Sequence, residues 1–485
     1  MYSSRSPIKS LMLLRLLSDN SIKKITKPFN FIINNVNGNI GTNARNIELT
    51  AIKDTNNKIN ISGMNLELIN YNGKGNIDLS DQAINVRLIG ADSNATGSIK
   101  AELTRQNPVD VRLGAGNDEI TRKYFAGDKL DLGGGNNTLY TDYKILDTLG
   151  SGDIQNATKI VIGDGLTNSN PATPKSIDFD PTSGTKVISF NNMSGNIMVK
   201  NVPNNAVKKG LPTKLPNEYA IVLTGNSVGS PTEDVTFNVS NNLASSSSVK
   251  ELAIKVELGQ NSQTPTYYLN SDNADTIRIY SNYDLQTSLK GQKLKAMTLI
   301  GQSNMDLISK VGSDIGQINA SGLGGGVKLE TALRNAKIKI VGGNGNDTIT
   351  HNINVGDNID LGAGNNTLRT SSASLGYIGS GNTTIVKNVT SLDITDQFKQ
   401  KVDFKTITGL KSVKLDAGSS NGASILNIPA DQNSVPVLTL SGGNYGSTND
   451  YLDVSLANSG EVVFELTSSG TLANDYNLNS INAKH

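Results

Sequence analysis

Cysteine and tryptophan are both absent from this 485-residue chain. Without cysteine there is no disulfide framework and no thiolate metal site. Histidine occurs twice, as His351 and His485, which argues against zinc and against most acid–base chemistry built on imidazole. Aromatic residues make up only 5% and prolines number 13, so the chain does not read as a proline-rich disordered tail. With 18% charged residues and a net charge of +1, no broad field invites nucleic acid, and no nucleic-acid partner is expected. No run approaches the ~18 apolar residues of a membrane span, so no transmembrane segment is expected.

In their place stand about 60 asparagines and 48 glycines, with many serines and threonines. Short Ile/Val/Leu runs alternate with Asn/Gly/Asp/Ser turns, which predicts a nearly all-β chain. The N-terminal segment 1–29 is the one stretch with helical character. Its apolar run, Leu11 to Leu17, is broken by Arg15 and is followed by no small-residue cleavage site, unlike a secretory signal. Arg5, Lys9, Arg15, Lys23, Lys24 and Lys27 face a single acid, Asp19. A short basic amphipathic helix there has two readings. It caps the open end of a β-stack, or it sits on an anionic surface such as lipopolysaccharide.

The chain repeats itself. RLGAGNDEITRKYFAGDKLDLGGGNNTLYT (112–141) aligns with VGGNGNDTITHNINVGDNIDLGAGNNTLRT (341–370). Asp118 falls on Asp347, Asp128 on Asp357, Asp131 on Asp360 and Asn137 on Asn366, each pair 229 apart (347 − 118 = 229). Weaker matches keep the same order upstream and downstream. The organisation expected is one β unit used twice, at 30–245 and 246–470, with a polar joint at LASSSSV and a tail at 471–485. Within each unit the inward candidates recur at nine to ten residues: Ile349, Ile359, Leu368, and Ile120, Leu130, Leu139. That is the rhythm of a parallel β-solenoid whose coils stack their Ile and Leu in ladders. Period-two stretches such as NKINISGMNLELINYNG and SGEVVFELTSSG fit either broader solenoid coils or small β-sandwich modules.

The turn VGGNGND (341–347) packs residues that adopt left-handed geometry beside a carboxylate, a candidate hard-cation site. GGNGNDTIT (342–350) fits the nonapeptide G-G-x-G-x-D-x-(large apolar)-x, and here the sequence resembles the calcium-binding repeats of RTX proteins. That resemblance implies Ca²⁺ held between successive coils by turn carbonyls and the repeat aspartate. Carried over, Gly343 and Gly345 would offer carbonyl oxygen and Asp347 a carboxylate, joined by Asp357 and by the amide oxygen of Asn366. The first-copy set is Gly116, Asp118, Asp128 and Asn137, in a turn that begins with Leu113 where the family has glycine. Asp131 and Asp360 read either as further ligands or as outward strand residues, and His351 as an exposed strand residue. The bland alternative is a set of ion-free turns in which Asn and Asp bond their own backbone.

Two histidines assemble no convincing Ser-His-Asp set, and neither a P-loop nor HExxH occurs. Asp128 with Asp131, or Asp357 with Asp360, are candidate carboxylate pairs for a β-helical polysaccharide-active enzyme. The same turn used twice suits such distinct catalytic roles poorly, and no enzyme is expected. In composition and turn motif the chain resembles calcium-dependent surface-layer proteins of Gram-negative bacteria. This implies an extracellular, self-assembling structural protein at the cell surface, exported by type I secretion and attached to lipopolysaccharide, here through 1–28. The alternative is an RTX-type adhesin module that binds glycans or a host surface.

Overall fold

A computed structural model describes residues 13–15, 29–32, 37–41 and 44–142 (apart from 64–65, 82–83 and 124), 153–203 (apart from 164–165, 169–172 and 180–181), 219–239 (apart from 229–233), 249–418 (apart from 258–263, 334–335 and 379–382), 423–428, 435–441, 452–456, 461–467 and 481–484. These residues are nearly all strand, joined by short turns, with one four-residue helix at Ser372–Leu375 and one 3-10 turn at Phe404–Thr406. The chain divides into two compact units. The first comprises 1–203, 218–224 and 240–242, the second 204–217, 225–239 and 243–485.

In the first unit, from Phe29 to Ile162, consecutive strands belong alternately to two parallel ladders. From Asn46–Ala51 on, each strand there pairs with the one two before it, so one full coil contains two strands and two turns. Asp110–Arg112 pairs with Lys129–Asp131, and Glu119–Arg122 with Thr138–Thr141. One ladder stacks Ile47, Ile69, Ile89, Val111, Leu130 and Ile154. The other stacks Ala101, Ile120, Leu139, Ile160 and Ile188. All of them are buried. Strand alternation sends every second residue inward, and the β-branched runs supply Ile and Val at those positions.

The second unit repeats this construction. Ile277, Met297, Ile318, Ile340, Ile359 and Val386 form one buried column. Leu329, Ile349, Leu368, Leu392, Val413 and Leu438 form the facing one. Each such side chain is worth roughly 1.5–3 kcal/mol of burial, set against the ordering of glycine-rich turns. The duplication extends to the backbone. Gly133 and Gly135 have φ of 67° and 90°, their counterparts Gly362 and Gly364 have 69° and 97°, and Asn156 (60°) answers Asn388 (57°). A Cβ on Gly133 would lie 2.0 Å from Gly114 O, and one on Gly362 would lie 2.3 Å from Gly343 O. Glycine there is a condition of stacking one turn on the next.

Three expectations change. The nine-to-ten-residue step is half a coil. Ile349 stacks on Leu368, 19 residues on (368 − 349 = 19), while Ile359 sits in the facing column. The small sandwich modules are not seen among the described residues. Asn56–Ser62 and Leu68–Gly73 join the two parallel ladders of the first unit, and Val463–Thr467 pairs in parallel with Val437–Ser441 in the second. Within the segment expected to be helical, Leu13–Arg15 form a strand parallel to Asn30–Ile32, and the rest of 1–28 lies outside the described residues. Ile481–Lys484, in the expected tail, pairs with Leu452–Ser455.

Candidate metal centres

Because the two strands of a coil alternate, successive turns lie on opposite edges of the solenoid. Turns 113–118 and 132–137 stack on one edge of the first unit, and 342–347 and 361–366 on the matching edge of the second. Along this edge side-chain oxygens accept backbone N–H groups from neighbouring coils. In the first unit Ser98 N donates to Asn76 Oδ1 (2.9 Å), Ile99 N to Asp118 Oδ1 (2.7 Å), and Asp118 N to Asn137 Oδ1 (2.8 Å). In the second, Gly326 N donates to Asn304 Oδ1 (2.8 Å), Val327 N to Asp347 Oδ1 (2.7 Å), and Asp347 N to Asn366 Oδ1 (3.0 Å). The turn at 324–326 carries no Asn or Asp of its own and is clamped by the coil on either side, whereas the turn at 92–98 also has Asp92, whose Oδ1 accepts Asn94 N (2.9 Å).

Asn137 and Asn366 are wholly buried, and their amide nitrogens face carbonyls. Asn137 Nδ2 donates toward Leu132 O (2.8 Å), Gly133 O (3.2 Å), Gly134 O (2.9 Å) and Asn156 O (3.1 Å). Asn366 Nδ2 donates toward Leu361 O (3.0 Å), Gly362 O (3.5 Å) and Asn388 O (3.0 Å).

Asp128 and Asp357 lie on the other edge, away from Asp118 and Asp347, so each expected ligand set is split. Asp128 accepts Val109 N (2.8 Å), Phe125 N (2.9 Å) and two bonds from Arg122, Nε to Oδ2 (2.9 Å) and Nη2 to Oδ1 (3.0 Å). Arg122 also donates to Arg105 O and Asn107 O. Asp357 accepts Ile338 N (2.7 Å) and Asn354 N (2.6 Å), and its Oδ2 meets His351 Nε2 at 2.8 Å. The Nδ1 of His351 meets Thr331 Oγ1 at 2.8 Å. His351 is thus buried, at 1% exposure, and not the exposed strand residue expected. It stands where Arg122 stands in the first copy (351 − 122 = 229) and faces the same aspartate. Alternation carried the signal, since Arg122 lies two residues after the inward Ile120 and His351 two after the inward Ile349.

Asp131 and Asp360 are half-buried outward strand residues that clamp the following turn. Asp131 Oδ1 accepts Gly133 N (3.0 Å) and Asn156 Nδ2 (2.7 Å), and Asp360 Oδ1 accepts Gly362 N (3.1 Å) and Asn388 Nδ2 (2.7 Å). Gly343 presents its N–H to Asp347 Oδ2 (3.0 Å). Gly116 and Gly345 lie against the adjacent coil, where an added Cβ would meet Gly97 O at 2.4 Å and Gly326 N at 2.4 Å.

The electrostatics single out one edge. Burial pushes the Asp118 carboxyl up to about 7, against the pull of the Ile99 N–H bond. Burial also pushes Asp347 up to about 6, opposed by the Val327 and Gly343 N–H bonds. Tyr71, whose hydroxyl donates to Gly75 O, is pushed up to about 12, by burial first and then by the Asp118 and Asp54 charges. Asp118 Oδ2 is buried without any hydrogen-bond partner.

Calcium takes six to eight oxygen ligands, with carboxylates commonly among them. Asp118 fits this demand, because its second oxygen is orphaned beside turn backbone. Asp347 fits less fully, since each of its oxygens already accepts one N–H. Asp128 and Asp357 do not fit, being taken up by N–H donors together with Arg122 or His351. Asn137 and Asn366 turn nitrogen rather than oxygen toward the carbonyls. Among the described residues no group of three or more His, Cys, Asp or Glu side chains gathers to hold a metal. No protein-family model matches the chain, and neither a curated protein nor a solved structure is significantly similar to it.

Proposed function

We propose that this chain is a structural protein of the cell exterior, a β-solenoid scaffold whose copies assemble into a surface layer or coat. The observation that carries the reading is the repetition of one turn geometry in both units, where the same coil-to-coil bonds to Asp118 and Asn137 recur at Asp347 and Asn366. In both copies the polar side chains of the turn edge are spent on holding coil to coil, which suits a scaffold. Calcium enters as the ligand of the Asp118 turn and, more weakly, of the Asp347 turn. Millimolar calcium outside a cell would offset the cost of burying these carboxylates, and scarce calcium inside would leave the fold less stable for export by a type I route. The basic segment 1–28 is the attachment point to lipopolysaccharide or another anionic surface.

Purified chain in millimolar Ca²⁺ should form periodic sheets under the electron microscope and lose them in chelator. A chain that stays monomeric while binding glycans would replace this reading with that of an adhesin. The melting temperature should fall in EDTA. An unchanged melt would remove calcium from the proposal.

A further inference from the structure

The carboxamides of Asn137 and Asn366 occupy an unusual position. Four carbonyl oxygens, from Leu132, Gly133, Gly134 and Asn156, lie within 3.2 Å of Asn137 Nδ2. An amide nitrogen has two hydrogens, so acceptors outnumber protons two to one. In the second copy three carbonyls converge on Asn366 Nδ2. The orientation of both amides is fixed from their other end. Oδ1 accepts Asp118 N in one copy and Asp347 N in the other, and the reverse orientation would set oxygen against the carbonyls. The left-handed glycines Gly133, Gly135, Gly362 and Gly364 shape these turns, and both asparagines are fully buried.

A buried cluster of carbonyls crowding one point is the donor set of a hard cation. We infer that each turn is an oxygen cage for a divalent cation of calcium's size, plugged by the chain's own amide. The asparagine substitutes for the ion and its charge partner together, so the turn closes without metal. It also leaves a neutral side chain next to Asp118 or Asp347, where a second carboxylate one coil away, about 4.8 Å along the stack, would face a like charge. The inference concerns turns other than those assigned calcium above and does not depend on that assignment.

Replacing the amide by a carboxylate should open the cage to metal. Asn137→Asp should melt several degrees below the parent chain in EDTA, because the carboxylate sets oxygen against four carbonyls. Millimolar Ca²⁺ should restore it, with a larger rise than the parent chain shows. Calorimetric titration should find one Ca²⁺ more per chain than in the parent. Asn366→Asp tests the same point in the other unit, and Asn137→Leu should lose stability without recovering it in Ca²⁺. If neither aspartate variant gains a calcium response beyond the parent's, from a folded or an unfolded start, the inference is overturned. Equal melting of Asn137→Asp and the parent in EDTA overturns it as well. A parent chain indifferent to EDTA, beside an Asn137→Asp chain that responds to Ca²⁺, would end the calcium reading of Asp118 and leave this one standing.

Discussion

Asp118 keeps one carboxylate oxygen without a partner, where Asp347 gives the matching oxygen to Gly343 N–H. Burial raises both, Asp118 to about 7 and Asp347 to about 6, and the Gly343 N–H is an opposing bond that Asp118 lacks. Both folded-state values lie above the ~3.9 of an unfolded aspartate, so the folded chain holds protons that the unfolded chain releases. Their contribution is complete below about pH 4 and is lost as pH rises, through about 6 for Asp347 and about 7 for Asp118. Melting curves in EDTA should therefore show stability declining across that window. Asp118→Asn should flatten the decline more than Asp347→Asn does. A decline equally steep in Asp118→Asn would refute the assignment. Across the solenoid, Arg122 and His351 hold the buried Asp128 and Asp357. Arg122→Met should cost about 3–5 kcal/mol in denaturant unfolding, because it strands a buried carboxylate.

Strands and turns were legible to different depths. The Asn/Gly turns, the inward Ile and Leu, and the 229-residue duplication could all be read from the sequence, because stacking demands glycine where coils touch and apolar residues where strands face inward. The coil length could not. Both halves of a coil run nine to ten residues, so the periodicity alone does not say whether Ile349 rests on Ile359 or on Leu368. Nor was the split of each expected ligand set legible, since spacing along the chain conceals that Asp347 and Asp357 belong to opposite edges. The burial of His351 and the role of Arg122 were not legible, because two unlike side chains do the same work at matched positions. At this scale Gly362→Ala should destabilise by roughly 1–3 kcal/mol, given its φ of 69° and the Gly343 carbonyl in its way. Equilibrium unfolding would measure this. Substitution at Gly312, where a Cβ would meet nothing within 4 Å, should cost less.

Over the whole molecule stability is set coil against coil. Ion pairs between neighbouring coils, such as Lys328–Asp306 at 3.0 Å and Lys100–Glu119 at 2.9 Å, are exposed and add little each. The apolar columns and the buried turn edges carry the stack. In such an array a local defect spreads to its neighbours and fades beyond them. Ile349→Ala should cost about 2–5 kcal/mol. Hydrogen exchange should rise most in the coils around Leu329 and Leu368, which touch Ile349, and least in the first unit. Uniform loss of protection over all described strands would contradict a nearest-neighbour array.

The turn at 324–326 owns no Asn or Asp clamp and borrows one from each side, through Asn304 and Asp347. Such a coil behaves as a keystone. It locks only after both flanking courses are laid, so it sets last when the chain folds and loosens first when either neighbour yields.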